Sequence, residues 1–354
     1  MSRTAVVVGT GLYVPENVVT NEDIIKRFEN VEAGKTKEGE IITGRQMLEG
    51  MAVRVGYKNR RKLSKLEEGK DPDQTTASLC VEAGKKALQD AGLKAEDLDL
   101  IILSTDSPDF ISPPTSAKVQ YELGAKNAGF FDANAACAGF TSVMATAGNF
   151  LKADETLKYA MVIGGYGMSR YSDPEDMITE FMFADGAGAV ILKAVDSSAY
   201  GIKSSTLSGD GQYWDYMGIY AGGTWKGFKK DTLDARLQYV KFLKGFPASI
   251  NIEAWPKLIE KTLAKAGWTT KDVDKVFFTQ VNLSIINEVC KILGWDPSIS
   301  HNIMDIYGYT GSACIPMAMD DAKKKGKLKK GDKIVICTSG GGAAFASMTM
   351  VWGE

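Results

Sequence analysis

The sequence predicts an α/β protein built from two similar halves, in which strands alternate with helices. Two observations predict this class. The chain of 354 residues is 44% hydrophobic and 24% charged, which is enough apolar material for one large core or two fused ones. In addition, four segments of the first half recur in the same order in the second. Alternating strands and helices favour a mainly parallel sheet that is covered by helices.

The first repeated unit is a helix, an acidic turn and a strand. Residues 85–105 read KKALQDAGLKAEDLDLIILST, and residues 260–280 read EKTLAKAGWTTKDVDKVFFTQ. In both copies an amphipathic pattern ends at Ala-Gly, and a short apolar run follows the acidic turn. Asp99 and Asp274 occupy equivalent positions in the two copies.

The other repeats pair FFDANAACAGF with NIMDIYGYTGSAC, FLKADETLKYAMVIGG with AKKKGKLKKGDKIVICTSGG, and FADGAGAVIL with TSGGGAAFASM. Their order predicts a first half over residues 1–195 and a second half over residues 196–354. It also makes Cys137 equivalent to the pair Tyr309 and Thr310, at sheet edges where ligands of α/β proteins bind. Residues 197–247, here called the middle segment, are rich in glycine and aromatic residues. They form either a loop that covers a pocket or a structural connection.

Charge and cysteine content exclude several classes of function. The net charge of −2 provides no general attraction for nucleic acid or for an anionic membrane. The N-terminal apolar run of four residues is too short for a signal peptide or a membrane span. The five cysteines are scattered, without the spacing of a metal site or a disulfide framework. We therefore expect a cytoplasmic protein with no bound metal and no nucleic-acid or membrane partner.

Cys137 is the first candidate for chemistry. It follows a strand-like run and precedes a helical pattern, and a helix N-terminus lowers the pKa of a thiol. Local pattern alone leaves two interpretations open, a nucleophile and a buried structural thiol. The glycines Gly340, Gly341 and Gly342 follow a strand, and their N–H groups are either oxyanion donors or part of a tight structural turn.

Four motifs together resemble a known family. VVVGTGLYVPENVVTNEDI, AACAGF, DPEDMITEFMFADGAGAVIL and SGGGAAF, in this order and with the internal duplication, resemble β-ketoacyl-ACP synthase III of the thiolase superfamily. The resemblance covers nearly the whole chain, apart from an insertion near residues 34–49 and the middle segment. It implies a thiolase-like five-layered α-β-α-β-α fold of two duplicated halves and a homodimer. It also implies that Cys137 accepts an acyl group from coenzyme A.

The same resemblance implies a coenzyme A thioester as substrate and no tightly bound cofactor. Arg54 and Arg170 match arginines that line the family's CoA entrance, and the planar guanidinium suits contacts to phosphate and adenine. Asn282 matches the asparagine of the family's PHQAN motif and is assigned to CoA binding. Gly50 stands where the family has an aromatic residue beside the entrance. An acyl carrier protein and a small zinc-ribbon protein are the candidate partners.

The chain departs from the family at two catalytic positions. The histidine of PHQAN is replaced by Thr279, and the asparagine of the family's GNTSAA motif is replaced by Tyr309. In the family these two residues donate hydrogen bonds to the thioester carbonyl while a malonyl group is decarboxylated. Thr279 can donate one neutral bond, and the Tyr309 phenol is the preferred replacement donor. We expect acylation of Cys137 to persist, while the usual malonyl condensation is in question.

Other polar residues near the motifs are weaker candidates. His301, the only histidine, precedes Tyr309 by eight residues, and a straight strand of that length spans about 26 Å, so a structural role is favoured. Asp305 and Gln280 are further polar candidates. Cys314 is expected to pack in the core.

Two functional hypotheses follow from these residues. In the first, the protein is an acyltransferase that forms an acyl thioester on Cys137 and then makes or cleaves a carbon–carbon bond in a Claisen-type reaction. Acyl transfer to a heteroatom is a variant of it. In the second, the chain is a catalytically reduced or partner-dependent subunit of a complex that processes CoA esters.

Overall fold

The computed structural model describes residues 3–64 and 66–353. The α-helices are α1 (Asn21–Phe28), α2 (Gly44–Val55), α3 (Thr76–Ala91), α4 (Thr115–Leu123), α5 (Gly139–Ala153), α6 (Met177–Met182), α7 (Lys230–Asp234), α8 (Ile250–Lys265), α9 (Leu283–Ile292), α10 (Met304–Tyr307) and α11 (Cys314–Lys324). The strands are β1 (Arg3–Tyr13), β2 (Val18–Thr20), β3 (Glu32–Lys35), β4 (Ile41–Thr43), β5 (Asn59–Arg61), β6 (Leu100–Ser104), β7 (Gly129–Ala133), β8 (Tyr159–Tyr166), β9 (Gly186–Asp196), β10 (Gly201–Gly209), β11 (Met217–Gly218), β12 (Lys241–Phe242), β13 (Lys275–Phe278), β14 (Lys333–Gly340) and β15 (Ala344–Val351).

Two sheets and three helical layers alternate, which confirms the predicted five-layered fold. One sheet has the strand order β1-β9-β8-β6-β7, and the other has the order β10-β15-β14-β13. Helices α5 and α11 pack between the sheets, α3 covers the outer face of the first, and α8 covers the outer face of the second. The central helices are correspondingly apolar, since most residues of both are buried.

The strands are mixed in direction, so the expectation of mainly parallel sheets is wrong. β6 pairs in parallel with β7 and β8, but β9 is antiparallel to both β1 and β8. In the second sheet only β13 and β14 are parallel. The reason is connectivity, because β14 and β15 are joined directly by a short turn, and neighbours joined in this way run antiparallel.

The duplication is present in the structure, and it contains one element more than the sequence repeats predict. The matched segments form α3 and β6 in the first half and α8 and β13 in the second. β10, which begins the second sheet and pairs with β15, lies inside the middle segment, for which the sequence predicts either a covering loop or a structural connection. Its run of serine, threonine and glycine resembles a loop, and sheet pairing overrides that local preference.

The two chain regions that the resemblance left out have separate structures. Residues 34–49 include the end of the β3–β4 hairpin and the start of α2. Beyond β10, the middle segment holds α7 and the small β11–β12 hairpin. Within the described ranges, no helix has the length and apolar character needed to cross a membrane.

Candidate active site

Cys137 lies in a tight turn between β7 and α5. Ala136, just before it, has a φ of 46°, in the left-handed region that few non-glycine residues adopt. The Asn134 side chain supports this turn, because its Oδ1 accepts a hydrogen bond from the Ala136 N–H at 2.8 Å. The turn therefore fixes the cysteine immediately before a helix of 15 residues.

Glycines allow other parts of the backbone to approach this turn closely. A Cβ at Gly139 would lie 2.0 Å from the Ser104 Oγ, so the start of α5 touches the end of β6. A Cβ at Gly340 would lie 2.5 Å from the Ala135 carbonyl oxygen and 2.9 Å from the Cys137 nitrogen. The second half of the chain thus reaches the cysteine turn at a position where only glycine fits.

The pKa of the Cys137 thiol is raised, whereas its place before a helix led us to expect a lowered value. Burial is the largest cause, since only 4% of the residue is exposed, and the charge of Asp106 adds to the rise. A hydrogen bond with the Tyr309 side chain acts in the opposite direction. Cys137 is therefore a protonated thiol at neutral pH and needs a proton acceptor in order to react as a nucleophile.

Tyr309 lies beside the thiol and keeps its own proton. Its backbone is fixed by a hydrogen bond from the Ala184 N–H to the Tyr309 carbonyl oxygen at 2.9 Å. Its ring packs against Tyr166 and Phe183, with ring centroids 6.4 and 6.2 Å away. Burial, followed by the neighbouring Cys137, raises the pKa of the phenol. Tyr309 can therefore act as a neutral hydrogen-bond donor at the reacting sulfur.

Thr279 does not face the cysteine cavity. Its Oγ1 accepts a hydrogen bond from the Ser339 N–H at 3.0 Å and donates one to the Ser339 carbonyl oxygen at 3.4 Å. The side chain is fully buried between β13 and β14. The hydroxyl that stands at the family's histidine position is thus engaged in joining two strands, and the structure does not place it as a donor to substrate.

A cavity of about 380 Å³ opens at Cys137 and Tyr309. Gly340 and Gly341 line it, but Gly342 does not. Most of its remaining wall is apolar, and it includes Met51, Val55, Met182, Phe183, Met217 and Phe246. This lining suits a hydrocarbon chain attached at the sulfur.

Two of the three residues assigned to CoA binding line the same cavity. Arg54 is the penultimate residue of α2, and Asn282 caps α9 by accepting a hydrogen bond from the Ile285 N–H at 3.2 Å. Arg170 lies elsewhere: it lines a second cavity of about 660 Å³, beside Tyr171, and donates to the Gln74 carbonyl oxygen at 3.4 Å. The structure therefore brings Arg54 and Asn282 together with Cys137 and leaves Arg170 apart.

The weaker polar candidates have structural surroundings. His301 Nε2 is 2.7 Å from Asp321 Oδ2 on α11, and the chain between His301 and Tyr309 includes α10, so the expected straight strand is wrong. Gln280 accepts a hydrogen bond from the Ile303 N–H and donates to the Phe278 carbonyl oxygen. These contacts give the side chains of His301 and Gln280 structural partners, so their positions are explained without a catalytic role.

Asp305 and Cys314 also lie outside the cysteine cavity. Asp305 is in α10, and Cys314 is the buried first residue of α11, where burial raises its thiol pKa to about 12. Among residues 3–64 and 66–353, no group of three or more His, Cys, Asp or Glu side chains could hold a metal ion.

Asp106 is a titratable residue near Cys137 that no sequence pattern above identifies, and it does not line the cysteine cavity. It follows β6 by two positions, and burial raises the pKa of its carboxyl group to about 7. Its charge also raises the pKa of Tyr166 and of Cys137. The available signal was an acidic residue two positions after the apolar strand LIILS, at the edge where the repeats place ligands.

The middle segment covers part of the cavity. Met217, Phe242 and Phe246 line it from this segment. The segment is attached by ion pairs, since Asp173 contacts both Arg236 and Lys241, the latter at 2.6 Å. Of the two interpretations left open by the sequence, the structure supports a segment that covers a pocket.

Two family models match the chain. The model described as 3-Oxoacyl-[acyl-carrier-protein (ACP)] synthase III matches residues 131–211, which include Cys137. The model described as 3-Oxoacyl-[acyl-carrier-protein (ACP)] synthase III C terminal matches residues 263–352, which include Tyr309 and Gly340.

Similar proteins and structures cover nearly the whole chain. A beta-ketoacyl-[acyl-carrier-protein] synthase III from Clostridium acetobutylicum is 33% identical over 354 residues, with 98% of each chain covered. Another of that name, from Caldanaerobacter subterraneus subsp. tengcongensis, is 34% identical, also with 98% of each covered. The crystal structure of 3-oxoacyl-[acyl-carrier-protein] synthase III from Aquifex aeolicus VF5 matches with a TM-score of 0.82 and 29% identity. That match covers 98% of this chain and 100% of the other.

Proposed function

The chain belongs to the beta-ketoacyl-[acyl-carrier-protein] synthase III family of the thiolase superfamily, and from this membership we propose that it forms an acyl thioester on Cys137 from an acyl-CoA. One observation carries the proposal. A buried cysteine at a helix start opens into an apolar cavity that also contains a neutral phenol donor, Tyr309, and a closely approaching glycine backbone at Gly340.

The proposed acyl transfer uses the Cys137 sulfur, backbone N–H donors and two side chains that contact the CoA moiety. The Cys137 sulfur attacks the thioester carbonyl carbon of acyl-CoA, a new sulfur–carbon bond forms, and the bond to the CoA sulfur breaks. The thiol proton leaves Cys137 and ends on the departing CoA thiolate. Charge develops on the carbonyl oxygen, where backbone N–H groups of the turns at Cys137 and Gly340 are the proposed donors. Arg54 and Asn282 at the cavity wall are the proposed contacts for the CoA moiety.

The second step is proposed to be a Claisen-type reaction, the formation or cleavage of a carbon–carbon bond at the acyl carbon. Thr279 is bonded to Ser339 and does not line the cavity, so of the two donors that the family uses in a decarboxylative step only the asparagine position, held here by Tyr309, still offers one. A carbanion generated without loss of carbon dioxide, as in thiolase chemistry, fits the remaining donor Tyr309. Acyl transfer to a heteroatom requires the same first step.

The protein is proposed to act as a homodimer. β7 lies at the edge of the first sheet, and within the described part of the chain it pairs with β6 alone. Phe130 on this strand is 41% exposed, and an unpaired apolar edge favours pairing with a second copy. The acceptor of the acyl group is proposed to be carried by coenzyme A or by an acyl carrier protein, the carrier in the names of its relatives.

A partner-dependent subunit is the second candidate function. The raised pKa of Cys137 and the engaged hydroxyl of Thr279 favour it, because both weaken the isolated site. A protein partner would then supply the missing proton acceptor or the substrate.

Intact-mass measurement after incubation with acyl-CoAs of increasing chain length tests the proposal. We expect a mass increase equal to the acyl group, and we expect Cys137→Ser to abolish it. Cys290→Ser is the matched control, because Cys290 is also buried but lies in α9 away from the cavity lining. An acyl adduct that persists in Cys137→Ser, or no adduct with any donor, would contradict the first function, and the latter result would favour the partner-dependent one.

A further inference from the structure

Asp106 lies at the sheet edge where the cysteine turn is held. Ser104, the last residue of β6, is in register with Ala133 of β7 and with Gly164 of β8. All three strands run in parallel, so their carboxyl ends meet at one edge. Two residues beyond this register, the chain carries Asp106 after β6 and Tyr166 at the end of β8. The strand order therefore places the backbone of the loop that carries Asp106 between the Cys137 turn and the end of β8, which carries Tyr166.

The loop that carries Asp106 is fixed on both sides. The Gly167 N–H donates to Ser107 Oγ at 2.8 Å, and Thr76 Oγ1 donates to the Ser107 carbonyl oxygen at 2.6 Å. Before Asp106, the Thr105 N–H donates to the Ala133 carbonyl oxygen at 3.3 Å. These bonds fix the backbone on both sides of Asp106.

The carboxyl group is incompletely bonded. Its Oδ1 atom is buried and has no hydrogen-bond partner among the described residues, although buried polar atoms are normally paired. The titratable groups that respond to its charge are Cys137, Tyr166 and Tyr171, and each has a raised pKa. Asp109, on the same loop, is instead paired with Lys118. Asp106 thus has a free acceptor atom among groups that retain their protons.

We propose that Asp106 is the proton acceptor for Cys137 in acyl transfer. The Cys137 S–H bond breaks as the O–H bond of the Asp106 carboxyl group forms, and the thiolate attacks the thioester. When the carbon–sulfur bond to coenzyme A breaks, the proton passes from Asp106 to the departing thiolate, which restores the carboxylate. No oxidant, metal or further reactant enters this cycle. The substrate part of the step rests on the function proposed above, whereas the proton transfer between the two side chains does not.

The protonated Cys137 thiol needs a proton acceptor that works near neutral pH. A general base works best when its pKa is near the working pH, and burial raises the pKa of Asp106 to about 7. Tyr309 is a neutral donor and Thr279 is bonded to Ser339, so neither can take the thiol proton. The chain has no histidine in the cavity, and His301 is paired with Asp321.

The rate at which iodoacetamide alkylates Cys137, followed by peptide mass from pH 5 to pH 10, tests the proposal without any acyl substrate. In the unmodified sequence we expect two rises, one near pH 7 as Asp106 becomes able to take the proton and one at higher pH as the thiol ionises. In Asp106→Asn the first rise should be lost, so that alkylation at pH 7.5 falls about tenfold or more. The second rise should move to lower pH, because the neighbouring negative charge is gone.

Asp109→Asn is the matched control, because it removes a carboxylate from the same loop that is paired with Lys118. It should keep both rises. Superimposable profiles for Asp106→Asn and the unmodified protein would overturn the proposal, as would an equal change in Asp109→Asn. Far-ultraviolet circular dichroism of each variant establishes that the fold is intact.

Acyl transfer provides a second readout. We expect Asp106→Asn to take up the acyl group about a hundredfold more slowly at pH 7.5, even though its thiol ionises more easily. An altered alkylation profile with an unchanged rate of acyl transfer would show that Asp106 titrates with Cys137 but does not accept its proton in catalysis, and would overturn the proposal. If the unmodified protein takes no acyl group at all, the proposed function fails, and the alkylation profiles still decide the role of Asp106.

Discussion

The ends of β6 and β13 are equivalent in the duplicated fold, yet their side chains have opposite roles. After β6, the chain places the carboxyl group of Asp106 in the interior with an unpaired oxygen. At the end of β13, the hydroxyl of Thr279 is bonded to Ser339 of β14. The first half therefore has an unpaired carboxyl oxygen at this edge, whereas the second half uses a hydroxyl at the corresponding edge, two positions earlier in the repeat, to join its strands.

The two halves of the duplicated fold therefore contribute different groups to the site. The second half still contributes to the cavity, but through the backbone near Gly340 and through Tyr309 rather than through the end of β13. Both Gly340 and Tyr309 belong to the second half of the chain, and both lie beside the cysteine of the first half. Variants on either side of this contact test the difference between the two halves.

The largest effect is expected for Gly340→Ala. The added Cβ would lie 2.5 Å from the Ala135 carbonyl oxygen, so the two halves must separate at the cysteine turn. We expect a loss of about a hundredfold or more in the rate of Cys137 acylation, comparable to the loss of an oxyanion donor. Gly342→Ala is the control, because a Cβ there meets no atom within 4 Å and only the positive φ of 73° is unfavourable. Equal acylation rates in the two variants would contradict the close contact between the halves.

The next effect concerns the pH dependence of stability at the end of β6. Burial raises the pKa of Asp106 to about 7, so the folded protein favours the protonated carboxyl group. The contribution of this protonated group to the free energy of unfolding is fully present below about pH 4 and is lost as the pH rises through about 7. A pKa difference of about three corresponds to about 4 kcal/mol at most. Urea unfolding at pH 4 and pH 8 should therefore show a smaller decline for Asp106→Asn than for the unmodified protein. Parallel declines in both would contradict the buried, unpaired carboxylate.

Tyr309→Phe keeps the ring contacts with Tyr166 and Phe183 and removes only the phenol oxygen. We expect acyl transfer to slow about tenfold to a hundredfold, the range for a hydrogen bond to a charged group, while the thermal unfolding temperature changes little. Rates measured by quenched intact-mass spectrometry check this expectation. Tyr166→Phe is the control on a neighbouring ring, and a larger loss there would transfer the donor role to Tyr166.

The smallest effect on activity is expected for Thr279→Val. Loss of the hydroxyl leaves the buried Ser339 N–H without its partner, which should lower the free energy of unfolding by about 1–3 kcal/mol. Acyl transfer should change by less than about threefold, because the side chain lies outside the cavity. A large loss of acyl transfer with unchanged stability would restore Thr279 as a catalytic donor and remove the contrast with Asp106.

Much of the fold could be predicted from the sequence, because it follows from local patterns that recur. The helix before β6 ends at Gly92 and its copy before β13 ends near Gly267, both with positive φ, and these signals define the same unit twice. β10 was not predicted, because its stability comes from pairing with β15 and not from its own composition. Strand direction was also predicted incorrectly, since it depends on which strands become neighbours.

The candidate site was only partly predictable. Motif and resemblance identified Cys137, Tyr309, Arg54 and Asn282, which share one cavity. Arg170 matches a family arginine and Thr279 stands at the family's histidine position, but both side chains face other surroundings than the cysteine cavity. Side-chain direction depends on neighbouring elements that the linear sequence does not specify.

Three features can be read from the amino-acid sequence alone: the repeated helix and strand pattern, the cysteine at a helix start, and the replacement of the histidine and asparagine by Thr279 and Tyr309. These features depend on residue type, local periodicity and order along the chain. The raised pKa of Cys137, the hydrogen bonds between Thr279 and Ser339, and the buried Asp106 Oδ1 without a partner among the described residues emerge from the folded structure. The physical reason is that burial and hydrogen-bond pairing are set by segments far apart in the chain, which meet only when the two halves pack together.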